Sequence, residues 1–256
     1  MELFEISQSL KAAGIDSGDT VMLHGDSIVA AQLRSIPDDR RLQYFFEEVL
    51  NYLGKNGTLV IPSFSYSFTS SEKFDVLHSP SKVGKFSECF RSLFPKLRSK
   101  NPLFSVVAVG RLEEEFKSAS VIDCFGEDSC FGMLKKYEAK LMCLGCNFNQ
   151  VTFFHHVEQT FGVSYRYFKW FSGEIINGNH SESIKTRYYV GNTELNYTLN
   201  LNRLKNDLIA NQLLKMSPFG RIGSYAVSAV DFYNNAEFLL RKNEYSLIEE
   251  GNYGSP

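Results

Sequence analysis

Short apolar runs alternate with helical patterns through residue 160 of this 256-residue chain, and this alternation constrains the fold more than any other feature. Glycine or proline closely follows each run, and apolar residues at helical spacing fill much of the sequence between the runs. This order predicts parallel strands joined by helical crossovers, with helices on both faces of the sheet. The predicted strands are residues 20–23, 58–61, 104–109 and 141–144.

The pattern changes near Trp170, where polar and apolar residues begin to alternate. Turn signals at 177–179 and 191–192 predict an antiparallel hairpin within about 170–198, and two helices follow it. No Pro/Ser-rich linker or charge run separates these parts. We therefore expect residues 1–256 to form a single domain. Its predicted fold is a three-layer α/β/α sandwich with a mostly parallel central sheet and a small antiparallel extension in the C-terminal half.

The charge balance limits the partners. The net charge is −2 without a cluster of Lys and Arg, which argues against nucleic-acid and membrane-surface binding. The apolar runs are too short to span a bilayer, and the N-terminus shows no secretory signal pattern. We expect a cytoplasmic protein that acts on small molecules, as a monomer or a homodimer.

Five cysteines in a chain of this length predict reduced thiols. Cys143 and Cys146 form a C-x-x-C pair, but a metal site would usually need a second pair. The pair closes an apolar run, so we expect buried cysteines at a strand end and no metal cofactor.

Ligands of such sheets bind beyond the carboxyl ends of the strands. The segments that follow the predicted strands are 24–27, 62–64, Gly110 and 145–147, and all are expected at one edge. The turn 24–27 has residues suited to holding phosphate, or it is an ordinary Gly-Asp turn that caps the next helix; residue types alone favour the cap. The long segment 64–80, rich in Ser, Tyr and Phe, is expected to line the site.

Thr152, His155 and Glu158 lie three residues apart and share one face if the segment is helical. An imidazole beside a carboxylate is a common general base, although this spacing also occurs in ordinary helices. Helical geometry does not choose between His155 and His156, because Thr152 reaches either.

Other enzyme signatures are missing from the sequence. There is no Gly-rich dinucleotide loop, Walker loop or G-x-S-x-G elbow, and neither histidine fits an H-E-x-x-H zinc site. These absences argue against nicotinamide enzymes, nucleotide hydrolases, serine hydrolases and zinc peptidases.

Six motifs in order change the interpretation, because together they resemble the aminoglycoside 3-N-acetyltransferase family. They lie within residues 18–24, 57–64, 83–91, 98–110, 125–132 and 152–158. The resemblance implies an acyl-CoA-dependent N-acyltransferase with an α/β/α sandwich distinct from the GNAT fold. The family's T-x-x-H-x-x-E motif maps onto Thr152, His155 and Glu158. It implies His155 as general base, Glu158 as its orienting carboxylate and Thr152 as a donor to the oxyanion, with direct attack by the amine.

The resemblance also implies where CoA binds. The turn after the first strand is expected to hold the pyrophosphate, with two later serines beside the arm of CoA; these residues are His24, Gly25, Ser27, Ser105 and Ser129. Many family members have His-Ser-Ser where this chain has 24–27. We therefore expect Asp26 to face the acceptor amine.

The residues around the proposed base are aromatic and basic rather than acidic. They favour a nucleotide-linked amino sugar, such as a dTDP-amino sugar for surface polysaccharide, over an aminoglycoside antibiotic. A non-catalytic protein that binds CoA or sugar is the alternative from another class. The expected substrate contacts are Asp26, Phe64, Tyr66, Tyr165, Arg166 and Lys169.

Overall fold

The computed structural model describes residues 3–250, in which helices cover both faces of a six-stranded sheet. The helices are α1 (Leu3–Ala12), α2 (Arg41–Leu53), α3 (Lys85–Leu93), α4 (Glu113–Lys117), α5 (Cys130–Lys136), α6 (Phe154–Phe161), α7 (Asn202–Ala210) and α8 (Ala229–Lys242). The strands are β1 (Thr20–Gly25), β2 (Thr58–Pro62), β3 (Phe74–Asp75), β4 (Val106–Gly110), β5 (Lys140–Leu144), β6 (Arg166–Asn177), β7 (His180–Gly191), β8 (Tyr197–Leu199), β9 (Lys215–Phe219), β10 (Ile222–Ser228) and β11 (Ile248–Glu250).

The central sheet has the strand order β4-β2-β1-β5-β10-β9. β1 pairs in parallel with β2 and with β5, and these three strands form the centre. β10 runs antiparallel to β5 and β9. The predicted α/β/α sandwich with a parallel centre and antiparallel additions is confirmed.

The direction of β4 was predicted wrongly. β4 runs antiparallel to β2, so Pro62 pairs with Val106 and Thr58 pairs with Gly110. Gly110 therefore lies at the edge opposite the expected ligand site. A Cβ there would come within 2.2 Å of the Gly57 carbonyl oxygen, and its φ is +129°, so only glycine fits. A buried strand is apolar on both faces, and its residue pattern carries no direction.

Alternate residues of the central strands face two separate apolar clusters. In β1, Val21 and Leu23 pack with side chains of α1, α2 and α3, whereas Met22 packs with those of α5, α6, α7 and α8. Burying one such side chain stabilises the folded state by about 1.5–3 kcal/mol. Among residues 3–250 no helix is long and apolar enough to cross a membrane.

The antiparallel extension is the β6–β7 hairpin, which turns at Gly178 with φ +61°. Its prediction is confirmed, although β6 begins at Arg166, earlier than expected. β3 adds to the hairpin in parallel, with Phe74 opposite Ile175. Only a short connection separates the end of α6 from β6. The first residues of the hairpin therefore lie beside that helix.

Candidate active site

Helix α6 carries the proposed base at its first turn. Phe154 and Val157 are fully buried and anchor the helix in the core, and Gly162 ends it in the left-handed region at φ +80°. On the same helix, Glu158 is buried, whereas the His155 side chain keeps 20% of its surface exposed. The carboxylate thus stands behind a partly accessible imidazole.

Nδ1 of His155 lies 2.6 Å from Oε2 of Glu158. An ionised carboxylate only accepts hydrogen bonds, so Nδ1 carries the proton and Nε2 keeps its lone pair. Within residues 3–250 no group hydrogen-bonds to Nε2, and that atom is not buried. Burial, together with the positive charge of Arg166, lowers the pKa of His155 below its ordinary value. The imidazole is therefore neutral, with Nε2 able to accept a proton.

Glu158 has a second partner in Arg166, whose Nε lies 2.9 Å from the same oxygen. Burial alone would raise the pKa of Glu158, but the hydrogen bond from His155 and the charge of Arg166 bring its pKa below the ordinary value. Arg166, expected to bind substrate, is instead committed to this buried carboxylate. Tyr165 is also fully buried, with its ring 5.1 Å from that of Tyr197. The structure thus places both residues in the interior behind the base.

The structure separates the two adjacent histidines. Nδ1 of His156 donates to the carbonyl oxygen of Phe125 at 2.7 Å, and the whole side chain is buried. His156 therefore fastens the segment before α5 to α6. Only His155 has the carboxylate partner and the accessible ring.

Two adjoining cavities form a cleft at the carboxyl ends of β1 and β2. The inner cavity has a volume of about 370 Å³, and the outer cavity about 310 Å³. Both are lined by Gly25, Val83 and Gln150, which makes them one cleft. The inner lining adds His24, Pro62, Phe64, Tyr66, Ser87 and Thr152. The outer lining adds Asp26, Ser27, Gly84, Lys85, Phe86, Gly145, Cys146 and Asn147.

His24 lines the inner cavity as a neutral imidazole. Burial lowers its pKa to about 4, and its Nε2 accepts a long hydrogen bond of 3.5 Å from the Thr152 backbone N–H. Nδ1 then carries the proton, and it is buried without a partner among the described residues. The His155 backbone N–H donates to the Thr152 carbonyl at 3.0 Å, so the wall of the inner cavity lies one turn before the base.

The turn after β1 caps the next helical segment. Oδ1 of Asp26 accepts from the Ile28 backbone N–H at 2.8 Å and begins the 3₁₀ helix Ser27–Gln32. This is the capping arrangement that the residue types favoured. Asp26 and Ser27 still line the outer cavity, so the cap and a ligand site share this turn.

The contribution of α3 to the site was not predicted from the sequence. No side chain caps this helix, whose N-cap is Gly84 at φ +99°. Gly84 and Lys85 line the outer cavity, which joins an uncapped helix N-terminus to a lysine. Such an arrangement suits an anion such as phosphate. A glycine directly before a strong helical pattern was the available signal.

Two serines expected beside CoA are part of the interior. Ser105 Oγ donates to the Ser63 carbonyl at 2.7 Å and accepts from Arg98 Nε at 3.0 Å. Ser129 Oγ caps α5 and donates to the Gly126 carbonyl at 2.6 Å. Neither serine lines the cleft.

The remaining predicted residues divide between the cleft and the surface. Phe64 and Tyr66, which were expected to contact the substrate, line the inner cavity. Lys169 is exposed on β6, with its Nζ 5.4 Å from the Phe171 ring centroid. Cys143 is buried in β5, as predicted, and Cys146 is half-buried with its Sγ 3.3 Å from the His24 carbonyl oxygen.

A third cavity lies farther along α6. It has a volume of about 630 Å³ and is partly lined by Gln159, one turn after His155. Its wall combines carboxylates with exposed aromatic rings, namely Asp123, Glu127, Asp128, Phe168 and Trp170. Arg187 pairs with Asp123 at 2.6 Å, and this ion pair does not include the other two acidic residues, Glu127 and Asp128.

The chain is similar in sequence to a protein of Bacillus subtilis. The aminoglycoside N(3')-acetyltransferase-like protein YokD of Bacillus subtilis (strain 168), derived from the SPbeta prophage, is 26% identical over 177 residues. The match covers 60% of this chain and 63% of YokD, so it spans less than two thirds of that relative.

Solved structures share the fold at low sequence identity. YokD from Bacillus subtilis superposes with a TM-score of 0.77 at 21% identity, over 94% of both chains. The structure of AAC-IIIb in its binary complex with CoASH superposes with a TM-score of 0.79 at 20% identity, over 100% of this chain and 99% of AAC-IIIb. The structure of AAC-VIa bound to sisomicin superposes with a TM-score of 0.79 at 18% identity, over 94% of this chain and 98% of AAC-VIa.

The family profile described as aminoglycoside 3-N-acetyltransferase matches residues 30–241, which is most of the chain. This range contains the His155–Glu158 pair and most of the cleft lining. The chain therefore belongs to the aminoglycoside 3-N-acetyltransferase family.

Proposed function

We propose that this protein is an acyl-CoA-dependent N-acyltransferase that acylates an amine of an aminoglycoside-type amino sugar. One observation carries the proposal: the 2.6 Å contact between Glu158 and Nδ1 of His155 leaves Nε2 as the proton acceptor, three residues after Thr152 in the wall of the inner cavity. A neutral, oriented imidazole is the usual general base at neutral pH. The related AAC-IIIb binds CoASH and AAC-VIa binds sisomicin, which supports both ligand classes.

The cleft residues fit CoA. The outer cavity offers Lys85, the uncapped N-terminus of α3 and the Ser27 hydroxyl to the negatively charged pyrophosphate. The inner cavity, with Phe64 and Tyr66 in its wall, suits the uncharged arm that ends in the thioester. This orientation brings the thioester toward Thr152 and the base.

The chemistry requires one proton acceptor. As the acceptor amine forms its C–N bond to the thioester carbonyl, His155 Nε2 takes the amine proton. The C–S bond then breaks, and the imidazolium returns the proton to the departing thiolate of CoA. The Thr152 hydroxyl makes a 3.3 Å hydrogen bond to the Gln150 carbonyl and can turn toward the oxyanion. A positioned base contributes about 10²–10⁴-fold in rate.

The charges favour an aminoglycoside over a nucleotide-linked sugar. The expected diphosphate ligands were Arg166 and Lys169, but Arg166 is paired with Glu158 and Lys169 is exposed on the hairpin. The third cavity instead offers carboxylates and Trp170, and its wall includes Gln159, which lies one helical turn after His155. Carboxylates and aromatic faces both attract the ammonium groups of a polycationic sugar.

The test is a thiol-release assay with acetyl-CoA and other short acyl-CoAs. Each is combined with sisomicin, kanamycin and a dTDP-amino sugar, and products are identified by mass spectrometry. We expect CoA release that depends on the aminoglycoside, one acyl group on an amine, and loss of turnover in His155→Ala. CoA binding is measured separately by calorimetry.

Three results would contradict the proposal. CoA release only with the nucleotide-linked sugar would show that the acceptor is wrong, although the protein would still be an acyltransferase. Acylation of a hydroxyl would show that the protein is an O-acyltransferase. CoA binding without release for any acceptor would indicate a non-catalytic binding protein.

A further inference from the structure

Arg166 forms a buried ion pair with Glu158, the carboxylate partner of His155. Its side chain is 8% exposed, its Nε lies 2.9 Å from Glu158 Oε2, and its Nη1 donates to the Tyr189 carbonyl at 3.1 Å. His155 Nδ1 approaches the same carboxylate oxygen at 2.6 Å. One buried oxygen thus lies between a permanent cation and the proposed base.

Counting charges shows what Arg166 does to the base. With His155 neutral, Arg166 and Glu158 cancel, and the buried group has no net charge. Protonating His155 would then leave one uncompensated positive charge in a desolvated place, which is unfavourable. Without Arg166 the buried group would carry a net negative charge, which a proton on His155 would neutralise. The arginine therefore opposes protonation of the pair.

The neighbouring groups leave this balance unchanged at neutral pH. Burial raises the pKa of each tyrosine around the cluster, so all remain neutral; these are Tyr165, Tyr188, Tyr189 and Tyr197. Burial also raises the pKa of Cys124, beside Tyr188, to about 12. The charges of Asp123, Glu127 and Lys135 act on His156. Among the described residues, the charges acting on His155 are those of Glu158 and Arg166.

We propose that Arg166 is a positioning residue which, through its ion pair with Glu158, keeps the His155–Glu158 pair free of an added proton and so maintains Nε2 as the base. The catalytic consequence rests on the proposed function. The effect on proton binding does not, because it exists in the resting protein.

The experiment compares wild type with Arg166→Met, in which the apolar side chain keeps much of the volume. The His155 ring signals are followed by NMR between pH 4 and 9, without substrate. We expect the wild-type midpoint below the ordinary histidine value and a midpoint at least about one unit higher in Arg166→Met. Turnover at pH 7 should fall in proportion to the protonated fraction of His155, about fourfold for a midpoint near 7.5, and should return as the pH rises.

Matched variants separate this role from simple packing. Arg91→Met removes an arginine of similar burial from another carboxylate pair, with Glu88 at 2.7 Å, and should leave the His155 midpoint in place. Arg166→Met combined with Glu158→Gln removes both charges and should lower the midpoint again. If Arg166→Met does not fold, Arg166→Gln replaces it, with circular dichroism as the check.

An unmoved His155 midpoint in the folded arginine variant would overturn the inference. An equal loss of turnover at every pH would also overturn it, because that indicates misplacement alone. A shifted midpoint in a protein whose wild type releases no CoA would support the inference and refute the proposed function.

Discussion

Oε2 of Glu158 and Nδ1 of His155 lie 2.6 Å apart on one face of α6, with the carboxylate buried and the imidazole partly exposed. The burial gradient matters as much as the distance. It holds the carboxylate away from water and leaves the opposite ring nitrogen open to a substrate. The pair is therefore polarised toward accepting a proton from outside.

Replacing His155 with alanine should abolish most turnover without affecting CoA binding. We expect kcat to fall about 10²–10⁴-fold, because a positioned base is lost. His180→Ala is the control, since that histidine is exposed at the start of β7. Thiol-release kinetics and calorimetry measure the two effects. A fall of less than about threefold would exclude His155 as the base.

Replacing Ser105 with alanine should destabilise the fold while leaving the CoA affinity unchanged. The hydroxyl bridges the buried Arg98 and the Ser63 carbonyl, and losing one buried partner costs about 1–3 kcal/mol. Ser118→Ala, at an exposed hydroxyl after α4, should change stability by less than about 0.5 kcal/mol. Urea unfolding and calorimetry test this prediction. Weakened CoA binding with unchanged stability would contradict this prediction and indicate that Ser105 contacts CoA.

Replacing Gly25 with alanine should disturb both the fold and the cleft. The added Cβ would come within 2.7 Å of the Phe86 ring, and such overpacking costs about 1–3 kcal/mol. We also expect weaker CoA binding, since Gly25 lines both cavities. Gly223→Ala is the control, because its Cβ would meet nothing within 4 Å.

A second substitution makes the Gly25 prediction sharper. Phe86→Leu in the Gly25→Ala background should recover part of the stability by making room for the methyl group. Thermal unfolding and CoA titration would follow the four combinations. Equal stability of the Gly25→Ala and wild-type proteins would contradict the predicted collision.

Replacing Lys85 with alanine should raise KM for acyl-CoA several-fold and leave kcat nearly unchanged. Lys85 lines the outer cavity at the N-terminus of α3 and is expected to meet phosphate only in binding. The difference from wild type should shrink at high salt, because screening weakens the same interaction. Lys82→Ala, whose ammonium pairs with Glu72 at 3.0 Å, is the control. A loss confined to kcat would place Lys85 elsewhere in the reaction.

Local patterns were enough to predict much of this protein. The central strand runs, the hairpin turn and the spacing of Thr152, His155 and Glu158 were all readable from the sequence, and the structure has the runs as strands and the turn as a hairpin. The family resemblance selected His155 over His156, and the structure gives a physical basis for that choice in the Phe125 carbonyl that His156 binds. Residue spacing alone carried no information about that carbonyl.

The sequence by itself determined the elements and the chemical groups available at the site, because turns, periodicity and short spacings depend on neighbours along the chain. Only the tertiary structure decided the direction of β4, the interior placement of Ser105, and the partner of Arg166. Each depends on contacts between segments distant in sequence or on how one segment packs against another. A buried strand reads alike in both directions, and an arginine reads alike whether its partner is substrate or Glu158.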